Sequence, residues 1–488
     1  MESTAGTYFG IDFGTTCSAV SSYTAAGTQG RLAHYAEKAG RPMPSAAAVN
    51  TETGELIIGH AAWAKQSELS SSHVYVPSIK RRLGTDWAVE TAQGPLSATD
   101  IASNLFRALR SLAKKRSGLS LCEAVVAIPV GFDGIRRQAL RQAAQEAGIR
   151  IAAFVSEPTA AFFANYKRLR NAHYIAVFDW GGGTLDVSVL RHENGAVYEE
   201  AAVGLEQAGN DIDELLARHV HSKICRRLGA HTSFEEMEPR ARDLLRVRCE
   251  EAKRVLSDAD HASVQLNRYG DLGPCRVSVE YSLFSDLVAP MVKNAVHCLE
   301  KAVSEAGLET RAIDRVLMTG GTSNLRPVQE RLRQDLDARL FFPGETVWNV
   351  ADGASAVAAS PGRYRSNQRI GIRLSDGSLF GLLHEGDALD GWQQSHTFGL
   401  VDGTEQARIV FGGSPDIEND ELSRITLSFP AYNFMQEMLR LDAEVDEDQV
   451  FRVTARSTMR PEKIQRVWEY TRLKRYYEIS NEVRHGNA

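Results

Sequence analysis

The chain has 488 residues, 43% of them hydrophobic and 24% charged, with a net charge of −6. That length exceeds one ordinary core, so two to four domains are expected, and the composition is that of a folded protein rather than a fibrous or low-complexity one. The acidic balance gives no reason to expect nucleic acid or an anionic membrane as the main partner.

The six cysteines (Cys17, Cys122, Cys225, Cys249, Cys275, Cys298) contain no C-x-x-C pair. Neither a zinc site nor a disulfide framework is indicated, and a reducing cytoplasm fits. Met1-Glu2-Ser3-Thr4 supplies no basic leader, and no apolar run is long enough to span a bilayer, so neither a signal peptide nor a membrane helix is expected.

Residues 1–25 read as a strand, a tight turn and a returning strand, with Gly10 and Gly14 punctuating it. From Asp100 to Ser117, apolar Ile101, Leu105, Leu109 and Leu112 recur at helical spacing, with Asp100 placed as N-cap. Glu123 to Val130 is a short buried strand, 134–147 a helix, and Ile149 to Val155 a strand. Tyr174 to Leu190 repeats the opening strand–turn–strand. Helices follow near 210–228, 237–257 and 282–306, the last broken or kinked near Pro290. Arg315 to Thr319 is a strand leading through Gly320-Gly321 to a helix from Pro327 to Leu336. Strands alternating with helices, with glycine at strand ends, indicate an α/β architecture with ligands at the strand termini.

From about residue 366 the pattern becomes β. Ile370-Gly371-Ile372 and Leu379 to Leu383 flank the turn Ser375-Asp376-Gly377-Ser378. Leu439 to Val445 alternates strictly and meets Phe451 to Ala455 across Asp446-Glu447-Asp448, as in a β-sandwich. Lys463 to Tyr477 reads as a last strand rather than a basic aromatic helix.

Two loops carry the chemistry. Asp12-Phe13-Gly14-Thr15-Thr16 follows Tyr8-Phe9-Gly10-Ile11, and Asp179-Trp180-Gly181-Gly182-Gly183-Thr184-Leu185-Asp186 follows Tyr174 to Phe178. Glycine and threonine expose backbone N–H groups and hydroxyl donors to phosphate oxygens. An aspartate at the strand end repels phosphate unless it holds water around a bridging Mg²⁺. Either loop alone is no more than a turn; the pair suggests a duplicated fold clamping a polyphosphate, with Asp12 and Asp179 facing one hydrated cation. Gly320-Gly321-Thr322-Ser323 can receive a nucleoside ahead of a helix. Glu250, Lys253, Arg254 and Ser257, at i, i+3, i+4 and i+7, share one helix face suited to a ribose and a base, although such a face taken alone is more often simply solvated.

These loops, in this order, resemble the ATPase domain of the heat-shock protein 70 (DnaK) family, which shares the actin and sugar-kinase fold. The likeness covers roughly residues 7–360 and weakens through the β segment. Narrower matches are Ser78-Ile79-Lys80-Arg81-Arg82-Leu83-Gly84 to the family's lysine loop and Ala127-Ile128-Pro129-Val130 to its V-x-x-P strand. Ser156-Glu157-Pro158-Thr159-Ala160-Ala161 is similar to its N-E-P-T-A-A motif, and Gly209-Asn210-Asp211-Ile212-Asp213 to its G-G-x-D-F-D turn.

The resemblance implies a duplicated actin-like (ribonuclease H-like) ATPase domain of two lobes over 1–362, a linker at 363–369 and a β-rich substrate- or partner-binding domain over 370–488. It implies ATP/ADP and Mg²⁺ as cofactors, with K⁺ as a further ion. Lys80 would be catalytic, with Glu157 and Asp179 holding waters of the Mg²⁺ shell, Asp12 opposite, and Thr184 on the phosphates. Gly14, Thr15, Thr16, Cys17, Gly181, Gly182, Gly183, Asp186, Gly320, Gly321, Thr322, Asn324 and Asp352 would complete the nucleotide site. Glu250, Lys253, Arg254 and Ser257 would grip ribose and adenine. Pro129 would be the hinge proline and Arg137 the arginine that senses the linker. Hydrolysis of this kind needs positioning and charge neutralisation rather than a covalent nucleophile.

Three departures from the family stand out. Asn324 replaces a stacking arginine, which predicts weaker nucleotide binding. Cys17 is either a low-pKa redox sensor beside a backbone nest or, the preferred reading, a small residue filling space. The joint Gly362-Arg363-Tyr364-Arg365-Ser366-Asn367-Gln368-Arg369 is polar where the family has an acidic residue and a leucine run, and the residues after it leave no length for a helical lid. The expected function is therefore a slow ATPase and chaperone of DnaK type, without a lid. Its clients would be unfolded or extended polypeptides, its helpers a J-domain co-chaperone and a nucleotide exchange factor, and its state monomeric. An ATP-regulated adaptor for one dedicated protein is the alternative; a metabolite kinase or an actin-like filament ranks lower.

Overall fold

A computed structural model describes residues 6–26, 29–38, 40–65, 72–336, 339–344, 346–399, 406–413, 426–430, 438–458 and 465–480. Two sheets of matching topology organise the first 360 residues. In the first, Arg150–Ser156, Glu123–Ile128 and Thr7–Phe13 run parallel, and Cys17–Ala26 and Gln29–His34 continue antiparallel. In the second, Leu340–Phe341, Arg315–Thr319 and Tyr174–Trp180 run parallel, and Leu185–Glu193 and Ala196–Leu205 continue antiparallel. The two glycine–threonine loops are thus the same hairpin turn in two copies of one sheet order. The parallel strands are nearly all apolar because helices cover both faces: Ala124 to Ile128 and Ile175 to Phe178 are buried throughout.

Helix ends follow local chemistry. The helix expected from Asp100 is Ala98–Ser117, and Asp100 is not its N-cap. Ser97 is: its hydroxyl accepts from the Asp100 N–H at 3.2 Å while the Asp100 carboxylate accepts from the Ser97 N–H at 2.8 Å, a capping box that satisfies two end donors at once. Gly134–Glu146 starts at N-cap Asp133, and Pro239–Val255 has its proline at the first turn, where no N–H is needed. The break expected near Pro290 is absent. Tyr281–Glu305 is one helix, with Val288, Met291, Val292 and Ala295 buried around the proline; packing of that face outweighs the lost backbone bond.

Beyond residue 366 lie two antiparallel four-stranded sheets. One has the order Leu379–Leu383, Ile370–Arg373, Gln406–Gly412, Thr426–Pro430; the other Gln393–Gly399, Met438–Val445, Phe451–Ser457, Gln465–Tyr470. Phe411 of the first stacks at 3.7 Å on Trp468 of the second. The expected hairpins form, with Ile372 opposite Phe380 and Val445 opposite Phe451. The end of the chain differs from the single strand expected over Lys463 to Tyr477. Two strands form, Gln465–Tyr470 and Arg475–Glu478; Lys463 and Ile464 lie outside the described residues.

The second of these strands leaves the C-terminal sheets. Arg475–Glu478 pairs antiparallel with Ala196–Leu205 and carries the strand Arg363–Ser366 on its other side, so both extend the second main sheet. The stretch read as a polar joint is therefore partly strand: Tyr364 and Ser366 are buried while Arg363 faces out. One apolar core runs from Val125, Phe162, Val177 and Val197 through Tyr364 and Tyr477 to Ile370, Leu382, Leu441 and Val453. A second attachment reaches the first half. The turn at 446–450 sits on the N-terminus of Gly134–Glu146, so closely that a methyl group on Gly134 would lie 2.2 Å from Val450 Cγ2. There Arg141 donates to the Asp448 carboxylate at 2.8 Å, and buried Arg137 donates to the carbonyl oxygens of Phe132, Asp448 and Thr471.

Candidate nucleotide site

The two equivalent turns face each other across a cleft. A methyl group on Gly182 would lie 2.9 Å from Thr16 Oγ1, and one on Gly183 would lie 3.1 Å from Thr15 Cγ2, so the glycines let the second loop abut the threonines of the first. Ser45 braces the first loop, donating to the Gly14 carbonyl at 2.7 Å. The third glycine turn closes the same space. Gly320 has φ +77, and a methyl group there would meet Asp179 Oδ1 and the Trp180 carbonyl at 2.5 Å; only glycine combines that backbone with that approach. Thr322 donates to the Gly181 carbonyl at 2.8 Å, which ties the second and third turns together.

The cleft has a volume of about 1330 Å³. Its walls include Asp12, Gly14, Thr15, Thr16, Cys17, Lys80, Pro129, Glu157, Asp179, Gly181, Gly182, Gly183, Thr184, Asp186, Glu250, Lys253, Arg254, Ser257, Gly320, Gly321, Thr322 and Asn324. Residues spread over more than 300 positions of sequence thus converge. Asp352, expected in the cleft, and Arg137, expected at the linker, lie elsewhere. Asp352 lies on Asn349–Ala359 outside the lining, and both its carboxylate oxygens take His34 Nε2 at 3.0 Å, with the His34 ring stacked on Trp348. Arg137 touches Asp448 and Thr471 rather than the stretch 363–369.

Lys80 is 5% exposed, and its Nζ donates to Glu157 Oε1 at 2.6 Å. It is a cation set among four carboxylates, with Arg81 also acting on Asp186. Burial, with Glu157 adding and Lys80 opposing, pushes Asp12 from 3.8 up to about 7. Burial, then Glu157, Asp186 and Asp12, hold Asp179 well above the ordinary range; Asp186 is raised by burial and Glu157, with Thr184 opposing. Each carboxylate disfavours ionisation of the next, so Lys80, with Arg81 acting on Asp186, leaves the cluster short of positive charge. That donor chemistry, hard carboxylate oxygens lining the cleft, fits Mg²⁺. Among the described residues no three acidic, histidine or cysteine side chains are grouped as a direct metal site.

At the far end, Lys253 Nζ donates to Asp213 at 2.8 Å and to the Gly209 carbonyl at 2.9 Å, and Arg254 pairs with Glu250. Burial raises Asp213 to about 6 against the pull of Lys253. Asn324 donates to Thr346 Oγ1 at 2.9 Å. Cys17 opens onto the cleft, yet the enclosing walls, then Glu250, push its thiol up to about 12 despite Arg254. That direction argues against a low-pKa sensor, while the exposure of Cys17 lends no support to a space-filling role.

Sequence reasoning missed Arg81. Its Nη2 donates across the cleft to the Gly183 carbonyl at 2.7 Å. Adjacency to Lys80 was the available signal, but direction around the short helix Ile79–Arg82 needed coordinates.

A family model described as Hsp70 protein matches residues 86–355, more than half of the chain. The chain belongs to the Hsp70 family. Hsp70 proteins are chaperones with an actin-like ATPase fold; they bind ATP or ADP with Mg²⁺, and work on polypeptide clients with co-chaperones. The matched span contains Glu157, Asp179 and the second and third glycine turns. The first loop and Lys80 precede it and join the site through the geometry above. Among the described residues no helix is long and apolar enough to cross a membrane.

Proposed function

We propose that the cleft binds Mg²⁺-ATP and hydrolyses it to ADP and phosphate, slowly, as part of a DnaK-type chaperone cycle. The observation that carries this reading is buried Lys80, held 2.6 Å from Glu157 and faced by Asp12 and Asp179 at the ends of two equivalent strands. In this reading residues 1–362 form two lobes, each built on one of the matching sheets. Residues 363–369, partly a strand of the second sheet, join them to a β-rich segment over 370–488 whose strand Arg475–Glu478 returns to that sheet.

Thr15, Thr16, Thr184 and the N–H groups of Gly181 to Gly183 hold the phosphates. Lys80 stabilises the charge that develops on the transferred phosphoryl group. Glu157, its Oε1 fixed by the Lys80 ammonium, orients the attacking water through its other oxygen. Asp12, Asp179 and Glu157 hold the hydration shell of Mg²⁺, which supplies charge neutralisation of the phosphates when bound. Gly320 and Gly321 admit the nucleoside, and Glu250, Lys253, Arg254 and Ser257 contact ribose and base. The β segment binds extended polypeptide through main-chain contacts. The protein works in the cytoplasm as a monomer, with a J-domain co-chaperone and an exchange factor.

A second reading is an adaptor whose β segment serves one dedicated protein. It is favoured by the attachment of that segment to both halves, through Arg475–Glu478 and through Arg137 and Arg141. ATP turnover of the wild type and of Lys80→Ala, with and without an unfolded protein, separates the readings. Client-stimulated turnover lost in Lys80→Ala supports the chaperone; turnover indifferent to clients supports the adaptor; turnover untouched by Lys80→Ala refutes the assignment of the site.

A further inference from the structure

The helix that carries Glu157 starts at a cap shared with the second sheet. Ser156 is its N-cap, and the hydroxyl accepts from the Thr159 N–H at 3.2 Å. That hydroxyl also donates to Glu199 Oε1, and the Thr159 hydroxyl donates to the same oxygen at 3.0 Å. Glu199 belongs to neither the helix nor the phosphate turns. It sits on Ala196–Leu205, in the other half. Glu157 is the first residue of its helix, so the direction of its carboxylate depends on the turn that Glu199 grips. Glu157 and Glu199 also line one side cavity of about 550 Å³, with Pro129 on its wall.

The strand bearing Glu199 is the one on which the end of the chain docks. Pairing of Ala196, Val197 and Tyr198 with Glu478, Tyr477 and Tyr476 stops one residue short of Glu199, and the rings of Tyr198 and Tyr476 stack at 4.6 Å. Tyr364, from the strand beyond, lies within electrostatic reach of Glu199: burial first, with Arg475 opposing and Glu199 adding, pushes its phenol up to about 12. Glu199 therefore stands between the docked C-terminal strand and the catalytic carboxylate.

We propose that Glu199 is a positioning residue for hydrolysis. By holding the Ser156 and Thr159 hydroxyls it fixes Glu157 against Lys80, and its strand makes that grip depend on the docking of Arg475–Glu478. The inference rests on the ATPase reading above. One carboxylate oxygen accepting two hydroxyls can be replaced by an amide carbonyl oxygen but not by a methyl group, which gives the role a specific signature.

The test is single-turnover hydrolysis by the full chain at saturating Mg²⁺-ATP, with nucleotide affinity measured separately. Glu199→Ala slows the step by about tenfold or more at unchanged affinity, as misplacement of a catalytic group does, while Glu199→Gln stays within about twofold of wild type. Tyr476→Ala slows the wild type by about threefold and adds nothing in the Glu199→Ala background. Thr159→Val, which removes one donor and keeps the side-chain shape, slows the step in the same sense and serves if Glu199→Ala does not fold. Turnover that does not require Lys80 refutes the assignment of the site and this inference with it. Turnover that requires Lys80 but is unmoved by Glu199→Ala and Thr159→Val overturns the role of Glu199 alone. So does equal loss in the Gln and Ala variants, or Tyr476 and Glu199 effects that simply multiply.

Discussion

Removing the Arg137 guanidinium is expected to loosen the C-terminal sheets while leaving the nucleotide cleft folded. The side chain is 2% exposed and donates to three carbonyl oxygens, those of Phe132, Asp448 at 2.5 Å and Thr471 at 3.3 Å. Three bonds from a charged donor contribute about 2 kcal/mol each, roughly 6 kcal/mol together. Against them stands the cost of burying the charge. Burial, with Arg475 adding and Asp448 opposing, lowers the pKa from 12.5 to about 9, a penalty of about 5 kcal/mol. The space left by the missing side chain costs roughly another 2 kcal/mol. Arg137→Ala therefore loses about 3 kcal/mol net, and two of the three orphaned acceptors belong to the C-terminal segment. Amide exchange reads this directly. In the hairpin Met438–Val445 and Phe451–Ser457, protection falls on the order of a hundredfold, whereas the helix Ala98–Ser117 is unchanged. Hairpin exchange within about threefold of wild type, or a loss shared equally by that helix, refutes the reasoning.

Further outcomes follow from the cleft. Asp12 sits at about 7 instead of 3.8, and a bound cation favours its ionised form. Binding of Mg²⁺-ADP should therefore release about one proton at pH 6 and far less at pH 8.5, read by calorimetry in buffers of different ionisation enthalpy; equal release at both would contradict the shift. By the same raised pKa, the folded nucleotide-free protein binds more protons than the unfolded chain between about pH 4 and 7, so its stability falls as pH rises through that window, as denaturant titrations will show. The Cys17 thiol, held up to about 12, should react with iodoacetamide at pH 8 roughly fiftyfold more slowly than an ordinary thiol, the smaller thiolate fraction being partly offset by its greater nucleophilicity, as peptide mass mapping will report. Asn324→Arg adds a planar cation beside the expected base position and should tighten ADP binding by about tenfold; unchanged affinity would show that Asn324 does not limit binding. Lys253→Met leaves Asp213 buried without its partner and should cost about 3 kcal/mol in denaturant unfolding.

The parts legible in the sequence were those written in local terms. Apolar runs ending in Asp12 and Asp179 announced strands that stop at polar turns, and the second loop repeated the first closely enough to suggest the duplication that the two sheets display. Of the i, i+3, i+4, i+7 set, Glu250, Lys253 and Arg254 line the cleft from the helix Pro239–Val255, and Ser257 does so from the turn just past its end. Asp352 was misplaced because one position on a helix turns a side chain by about 100°, and its carboxylate points to His34 instead. Asp100 was misread as a cap because Ser97, three residues earlier, offers the same kind of oxygen.

By itself the sequence determined the strands that lead into Asp12 and Asp179, most of the longer helices and the pair of glycine–threonine turns. Those depend on backbone preferences and apolar periodicity that act over a few residues. Only the tertiary structure decided that Lys80 spends its charge on Glu157, that Arg137 grips Asp448 and Thr471, and that Arg475–Glu478 becomes an inner strand of the second sheet. Each joins groups tens to hundreds of residues apart, and such pairings are set by which surfaces the folded core brings together, a quantity no local pattern encodes.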